Sequence, residues 1–328
     1  MKKLVVVLLL LAGCTSARPH DSGLQDRLHA LLSGYEREGF SGTVLVAKDG
    51  RIVLHRGYGF ADRERQIRNG PRTLFEIASL NKPFTAAAIL QLEEQGVLRT
   101  SDPLERWLGP FPPEKAAATI DHLAAHTAGL VPEGTDLGEG EDRDQFIAAV
   151  KSVARESAPG ERYRYTNAGY SVLAAIVEKA SGIPYETFIR TRVLPRAGLE
   201  NVWFRGETVP ANRMARGYVA SGESTPNPYR WGTRGAGGMI TTVENVYRFY
   251  LAARAEPAYR KMFQPGPRES YGWHVEPARI HKGGGMPQYA TQLIHHPAER
   301  VIFVWASNDL TKRWRDELNE GIARIALE

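Results

Sequence analysis

Of the 328 residues only one is a cysteine, Cys14. No intramolecular disulfide can form, so core packing and hydrogen bonds must hold the fold. Long apolar runs are missing too. The unbroken stretch at residues 4–11 is eight residues long, well short of the roughly 20 that a bilayer-spanning helix needs. There is no block of like charge, since 42 Lys and Arg stand against 37 Asp and Glu. The formal net charge of +5 falls to +3 without Lys2 and Lys3, and no basic run accompanies it, which argues against nucleic acid as a partner. His29, His55, His122, His126, His274, His295 and His296 show no metal-ligand spacing such as H-E-x-x-H. Internal repeats and low-complexity segments are absent as well. What is left is ordinary globular composition, 42% hydrophobic and 24% charged, long enough for two average domains or one large one.

The first residues read as a targeting segment rather than as fold. A basic start at Lys2 and Lys3 leads into the apolar run, and Leu11, Ala12, Gly13 and Cys14 follow. This order fits a secretory signal and resembles a bacterial lipoprotein signal, in which cleavage precedes the cysteine and its thiol is lipidated. The resemblance implies an exported protein anchored through Cys14 to a bacterial membrane, facing the periplasm or the cell exterior. Residues 15–22 then form a tether, and one domain covers 23–328.

Within that domain the hydrophobic period changes along the chain. Leu24, Leu28, Leu31, Leu32 and Tyr35 recur at helical spacing. Residues 42–47 and 51–55 flank Asp49 and Gly50, a strong hairpin signal. A helix is expected from Ser79 to about Gln95, stopped by Gly96, with Pro83 near its first turn where a missing N–H costs least. Further helices are expected at about 120–126, 146–153, 168–181, 185–193 and 243–253. Residues 60–75, 99–119 and 199–240 read as connections, and 131–144 as an acidic loop. The end is a β-β-α unit: strands at 289–296 and 301–307, then Trp314, Leu318, Ile322 and Ile325 on one helical face. Strands near both ends and helices between predict an α+β fold. Its antiparallel sheet is built from N- and C-terminal segments and flanked by helices, with a mostly helical lobe inserted at about 80–195. A cleft between sheet and lobe is the expected ligand site.

Three stretches could carry chemistry. Ser79 and Lys82 are three residues apart at an expected helix start, so an amine sits beside a hydroxyl, an arrangement that activates a serine without histidine. Tyr165 and Asn167 alternate around Thr166 and would face one way in an extended segment. A phenol beside an ammonium is more easily deprotonated and could exchange a proton with Ser79. Asn167 offers a carbonyl and an amide, or could simply cap a helix. Lys282, Gly283, Gly284 and Gly285 precede the strand expected at 289. Such glycines admit a ligand backbone and expose N–H groups to a developing anion, or make a bulge at a sheet edge.

Taken together, S-x-x-K, Y-x-N and K-x-G in this order resemble the penicillin-recognising serine hydrolases. The likeness is to the class C β-lactamase-related branch, which includes D-Ala-D-Ala carboxypeptidases and esterases. Residues 42–46, 75–84, 126–130, 165–173, 235–241 and 283–287 all look like that family's signature stretches in family order. The resemblance implies Ser79 as acylated nucleophile, Lys82 as its proton-shuttling partner and Tyr165 as general base and acid. It implies Asn167, Lys282 and Gly284 as substrate-binding or orienting residues, and the backbone N–H groups of Ser79 and Gly285 as oxyanion hole. It needs no metal and no organic cofactor. The substrate class implied is a small or peptidoglycan-derived acyl donor, an ester or an amide. A ligand-binding or sensor module with slow or no turnover is the alternative on the same fold.

The chain departs from the pattern at Gly283, where family members usually carry Thr or Ser. The absent hydroxyl, which helps bind a carboxylate there, shifts the expectation toward an esterase or peptidase-like activity and away from an efficient β-lactamase. The head of this motif is either His281 or Lys282; spacing to Pro287 favours Lys282, and alternation would then turn His281 away. No class-A-like E-x-x-x-N appears in 131–170. His126 reads as a structural residue before the acidic loop.

Overall fold

The computed structural model describes residues 22–132, 137, 142–219, 222–223, 229–266, 268–309 and 314–328. Cys14, the signal and most of the tether lie outside the described residues, as do Glu133, Asp136, Glu139 and Glu141 of the acidic loop.

The two ends of the chain build one seven-stranded sheet. Its order is Glu269–Ser270, Trp273–Val275, Ile280–Met286, Tyr289–His296, Val301–Ser307, Gly42–Lys48 and Arg51–Tyr58, and each neighbouring pair is antiparallel. Asp49 and Gly50 both have positive φ, 54° and 76°, as a two-residue hairpin turn requires. The two-residue period of the strands then divides the molecule. Val44, Val46, Phe303 and Trp305 pack with Leu24, Leu28 and Leu32 of the first helix (Ser22–Arg37) and with Trp314, Leu318 and Ile322 of the last (Trp314–Ala326). Leu45, Ala47, Leu293 and Val304 face the opposite way, into the core of the helical lobe.

Two helices run through that lobe. In Lys82–Glu94 every residue from Lys82 to Leu92 is buried, and in Asn167–Ser181 every residue from Ala168 to Val177. A helix without a polar face must be enclosed, and these two sit at the centre. Gly182, at φ 74°, ends the second.

Several local expectations need correction. The third motif does not precede a strand as a bulge; it is itself the strand Ile280–Met286, paired in full with Tyr289–His296. Three consecutive glycines hide the usual strand composition, and the pairing partner supplies what propensity does not. The helix expected from Ser79 begins at Lys82, after a 3₁₀ turn over Ala78–Asn81. The stretch at 60–75 contains the short strands Phe60–Asp62 and Ile67–Arg68, and 99–119 contains the short helix Glu105–Leu108. At 199–240, Trp203–Phe204 and Phe75–Glu76 each pair with Met239–Thr241, the middle strand of a small three-stranded sheet. Elements of two to four residues leave no period to read.

Candidate active site

The small sheet sets the nucleophile. Ile77 N–H donates to Met239 O (3.0 Å), and the chain then turns through Ala78, a non-glycine residue at φ 47°. Left-handed backbone at such a residue is held only by its surroundings, and here it delivers Ser79 at the cleft edge. In the 3₁₀ turn, residues three apart eclipse one another. Lys82 Nζ accordingly lies 3.1 Å from Ser79 Oγ.

Tyr165 and Asn167 flank Thr166, whose extended backbone (φ −148°, ψ 136°) caps the central helix. The two side chains therefore point the same way. Tyr165 OH is 2.7 Å from Ser79 Oγ, and Asn167 Oδ1 accepts from Lys82 Nζ at 2.7 Å. Asn167 is thus the first helical residue rather than the cap. Lys82 also donates to Ala236 O at 3.2 Å. The glycine-rich segment explains itself here: the carbonyls of Gly235, Ala236 and Gly237 accept from Thr85, Lys82 and Asn81. A β-carbon on Gly235 would lie 2.5 Å from Tyr170 O, so this close approach needs glycine.

The strand Ile280–Met286 closes the other wall. Lys282 is buried, its Nζ 2.5 Å from Glu269 and 5.0 Å from the Tyr165 ring centroid. His281 turns to Glu276 (3.2 Å) and stacks on His274 at 4.7 Å. Lys282, then, is the residue of the pair that reaches the Ser79–Tyr165 centre. A β-carbon on Gly284 would sit 2.5 Å from Ile77 O and 3.1 Å from Ser79 N, so glycine lets this strand press against the nucleophile's backbone. Gly285 lines a cleft of about 410 Å³ together with Ser79, Asn167, Arg205, Arg230 and Met286.

Electrostatics separate the two lysines. Burial, reinforced by the charge of Lys282, pushes Lys82 well below the ordinary lysine range, with Glu269 opposing. Burial also lowers Lys282, but its neighbour Glu269 works against that. Burial raises Glu269, yet Lys282 and the hydrogen bonds of His126 and His274 outweigh it and hold the carboxyl well below its usual range. Among the described residues no group of three or more His, Cys, Asp or Glu is arranged to hold a metal ion.

Two residues carry no signal in the sequence. Glu269 is one acid among 37, and its place beside Lys282 comes from pairing of the short strand Glu269–Ser270 with Trp273–Val275. Arg315, on the first turn of the last helix, donates to Gly284 O (3.1 Å). Its guanidinium nitrogens lie 3.5 and 3.4 Å from where β-carbons on Gly283 and Gly285 would be. The guanidinium therefore stands over the side of the third motif left open by Gly283.

A sheet with a helical lobe, and a serine in contact with both a lysine and a tyrosine at their junction, define a serine-hydrolase type of site. The chain belongs to the beta-lactamase family, whose model, described as Beta-lactamase, matches residues 24–327. PbpX of Bacillus subtilis (strain 168) is 35% identical over 306 residues, covering 90% of this chain and 77% of that protein. Esterase EstB of Burkholderia gladioli is 29% identical over 269 residues, 68% of each chain. Among solved structures, a class C beta-lactamase superposes with a TM-score of 0.79 at 20% identity, covering 95% of this chain and 99% of that one, a likeness of fold.

Proposed function

We propose that this protein hydrolyses an ester or amide through an acyl-enzyme on Ser79. The observation that carries the reading is the double contact of Ser79 Oγ, with Tyr165 OH at 2.7 Å and Lys82 Nζ at 3.1 Å. Proton transfer out of Oγ needs an acceptor within hydrogen-bond reach. Here a lysine shifted toward its neutral form qualifies, and so does Tyr165 as its phenolate. Oγ attacks the substrate carbonyl, and its proton passes to the Tyr165–Lys82 pair. The backbone N–H groups of Ser79 and Gly285 take the developing oxyanion. Tyr165 returns the proton to the leaving group, and water on the same path releases the acid. Asn167 holds Lys82 in place throughout. The likeness to an esterase supports ester substrates.

The test is labelling with a fluorophosphonate and with a fluorescent penicillin, read by mass spectrometry, beside hydrolysis of aryl esters. The expected result is an adduct on Ser79 and turnover lost in Ser79→Ala. Absence of any adduct, with Ser79→Ala matching the parent on every substrate, would overturn the reading. A stable adduct without product release would favour a binding or sensor module instead.

One observation bears on substrate. Arg315, beside Gly283, has no carboxylate partner among the described residues and uses one donor on Gly284 O. Its charge can take over what a hydroxyl at position 283 would do, so acyl donors bearing a carboxylate near the scissile bond fit this cleft. Lipidation at Cys14 and residence at the cell envelope belong to the same proposal; metabolic labelling with an alkyne fatty acid, lost in Cys14→Ala, tests them.

A further inference from the structure

Glu269 takes no part in the chemistry above, yet it is a buried carboxylate that meets three nitrogen bases at once. Its Oε2 lies 2.5 Å from Lys282 Nζ and 3.3 Å from His274 Nε2, and its Oε1 lies 3.3 Å from His126 Nε2. A buried charge persists only when paired and hydrogen-bonded, and these contacts satisfy it. The opposite end of His126 explains why the contact matters. His126 Nδ1 accepts the backbone N–H of Thr166 at 3.2 Å, so the imidazole must carry its proton on Nε2 and donate it to Glu269. Thr166 is the residue between Tyr165 and Asn167. The His126 ring also packs 4.6 Å from the Tyr165 ring. Arg164 N–H binds His126 O (2.7 Å), so the same residue grips this segment at a second point.

We propose that Glu269 is a positioning residue of this site: it keeps Lys282 as its ion-pair partner and, through the Nε2–H tautomer of His126, fixes the backbone that aims Tyr165 at Ser79 and Asn167 at Lys82. The arrangement makes two lysines around one phenol non-equivalent. Lys82 touches a hydroxyl, an amide oxygen and a main-chain carbonyl; Lys282 touches a carboxylate. One is free to exchange a proton, and the other is held as a fixed cation. The titratable groups that act on Glu269 are Lys282 on one strand, His274 on the next, His126 before the acidic loop, Lys82 on the nucleophile helix and Tyr170 on the central helix; His281 stacks on His274, and Tyr165 packs on His126.

This inference rests on the acyl-transfer reading of Ser79. The experiment compares the parent with Glu269→Gln and Glu269→Asp, measuring kcat, KM and the rate of Ser79 phosphonylation from pH 5.5 to 10, with Tm recorded alongside. A glutamine cannot accept from Lys282 and both imidazoles, nor supply the charge. Glu269→Gln should lower kcat roughly ten- to a hundredfold with KM within about twofold, the scale of a misaligned catalytic group. The charge of Glu269 favours the Lys282 ammonium, so its removal should move the alkaline limb of kcat/KM to lower pH, and Glu269→Asp should recover part of that shift. Histidine ¹⁵N spectra of the unaltered protein supply a readout that needs no variant: His126 should show protonated Nε2 and bare Nδ1 across this range. A parent-like rate and pH profile in Glu269→Gln, equal rate losses in both variants with an unmoved limb, or a His126 protonated on Nδ1 would each overturn it. If the parent itself acquires no Ser79 adduct, the failure lies in the acyl-transfer reading.

Discussion

Lys82 and Lys282 approach the ring of Tyr165 to 4.8 and 5.0 Å from its centroid, and only Lys282 meets a carboxylate. Lys282 is thus the fixed cation beside the phenol and Lys82 the lysine that can exchange a proton, and the hydroxyl of Ser79 is the group that phenol touches. Tyr165→Phe keeps the ring and its packing against His126 but removes the proton carrier. Its kcat is expected to fall by about 10²–10⁴, with KM nearly unchanged and Tm close to the parent. Steady-state kinetics on an aryl ester, with thermal unfolding alongside, check this.

Gly284 and Gly285 should respond differently to the same methyl group. At Gly284 the added carbon meets Ile77 O and Thr291 Oγ1, both at 2.5 Å, so strand or nucleophile turn must shift; at Gly285 it meets a guanidinium nitrogen at 3.4 Å that can give way. Gly284→Ala is expected to lose about 10²–10³ in kcat, the scale of a lost oxyanion donor. Gly285→Ala should stay within about tenfold of the parent. Kinetics of both variants on one ester decide it.

Arg315→Gln tests the substrate reading. A charge-assisted hydrogen bond is worth about 1.5–3 kcal/mol, which corresponds to roughly ten- to hundredfold in kcat/KM. That loss is expected for an acyl donor with a free carboxylate and not for its methyl ester. Paired measurement of the two substrates on parent and variant gives the answer, and equal effects on both would remove Arg315 from substrate recognition.

Lys115 is expected to matter for stability alone. Its ammonium is buried under the C-terminal end of the helix Arg143–Ser152, donating to Val150 O (2.6 Å), Val153 O (2.5 Å) and Lys151 O (3.4 Å). Cations belong at that end of a helix. Lys115→Met leaves these carbonyls without their donor and should cost about 1–3 kcal/mol, seen as a lower urea midpoint with kcat/KM unchanged.

Acid should weaken the fold through two histidines, the half-buried His295 and the buried His126. Burial, with the charges of Arg254 and His296, lowers His295 to about 4, while Tyr250 OH holds its Nδ1 at 2.6 Å. Burial also lowers His126. Between the unfolded histidine value of about 6.5 and pH 4 the unfolded chain binds a proton that folded His295 refuses, so stability present above pH 6.5 is lost as pH falls through that window. Unfolding free energy should therefore rise with pH from 4 to 6.5. His295→Asn should reduce that slope by up to one proton's worth, measured by urea titration at several pH values.

The sequence by itself determined the frame. The turn at Asp49 and Gly50, the apolar stretches at 42–47, 289–296 and 301–307, and helical spacing around Leu28 and Leu318 marked the strands and the terminal helices, because burial selects apolar side chains along each element. It also named Ser79, Lys82, Tyr165, Asn167 and Lys282, since residue type and local spacing limit what each can do. Tertiary structure decided the rest. The Ile280–Met286 strand exists by pairing rather than propensity, and the nucleophile stands in a 3₁₀ turn because the small sheet drives Ala78 into left-handed backbone. Glu269 reaches Lys282, and Arg315 covers Gly283, across separations in sequence that carry no local pattern. Which ammonium keeps its charge and which position recognises a substrate depend on burial and on neighbours brought together by folding, and only the folded arrangement supplies them.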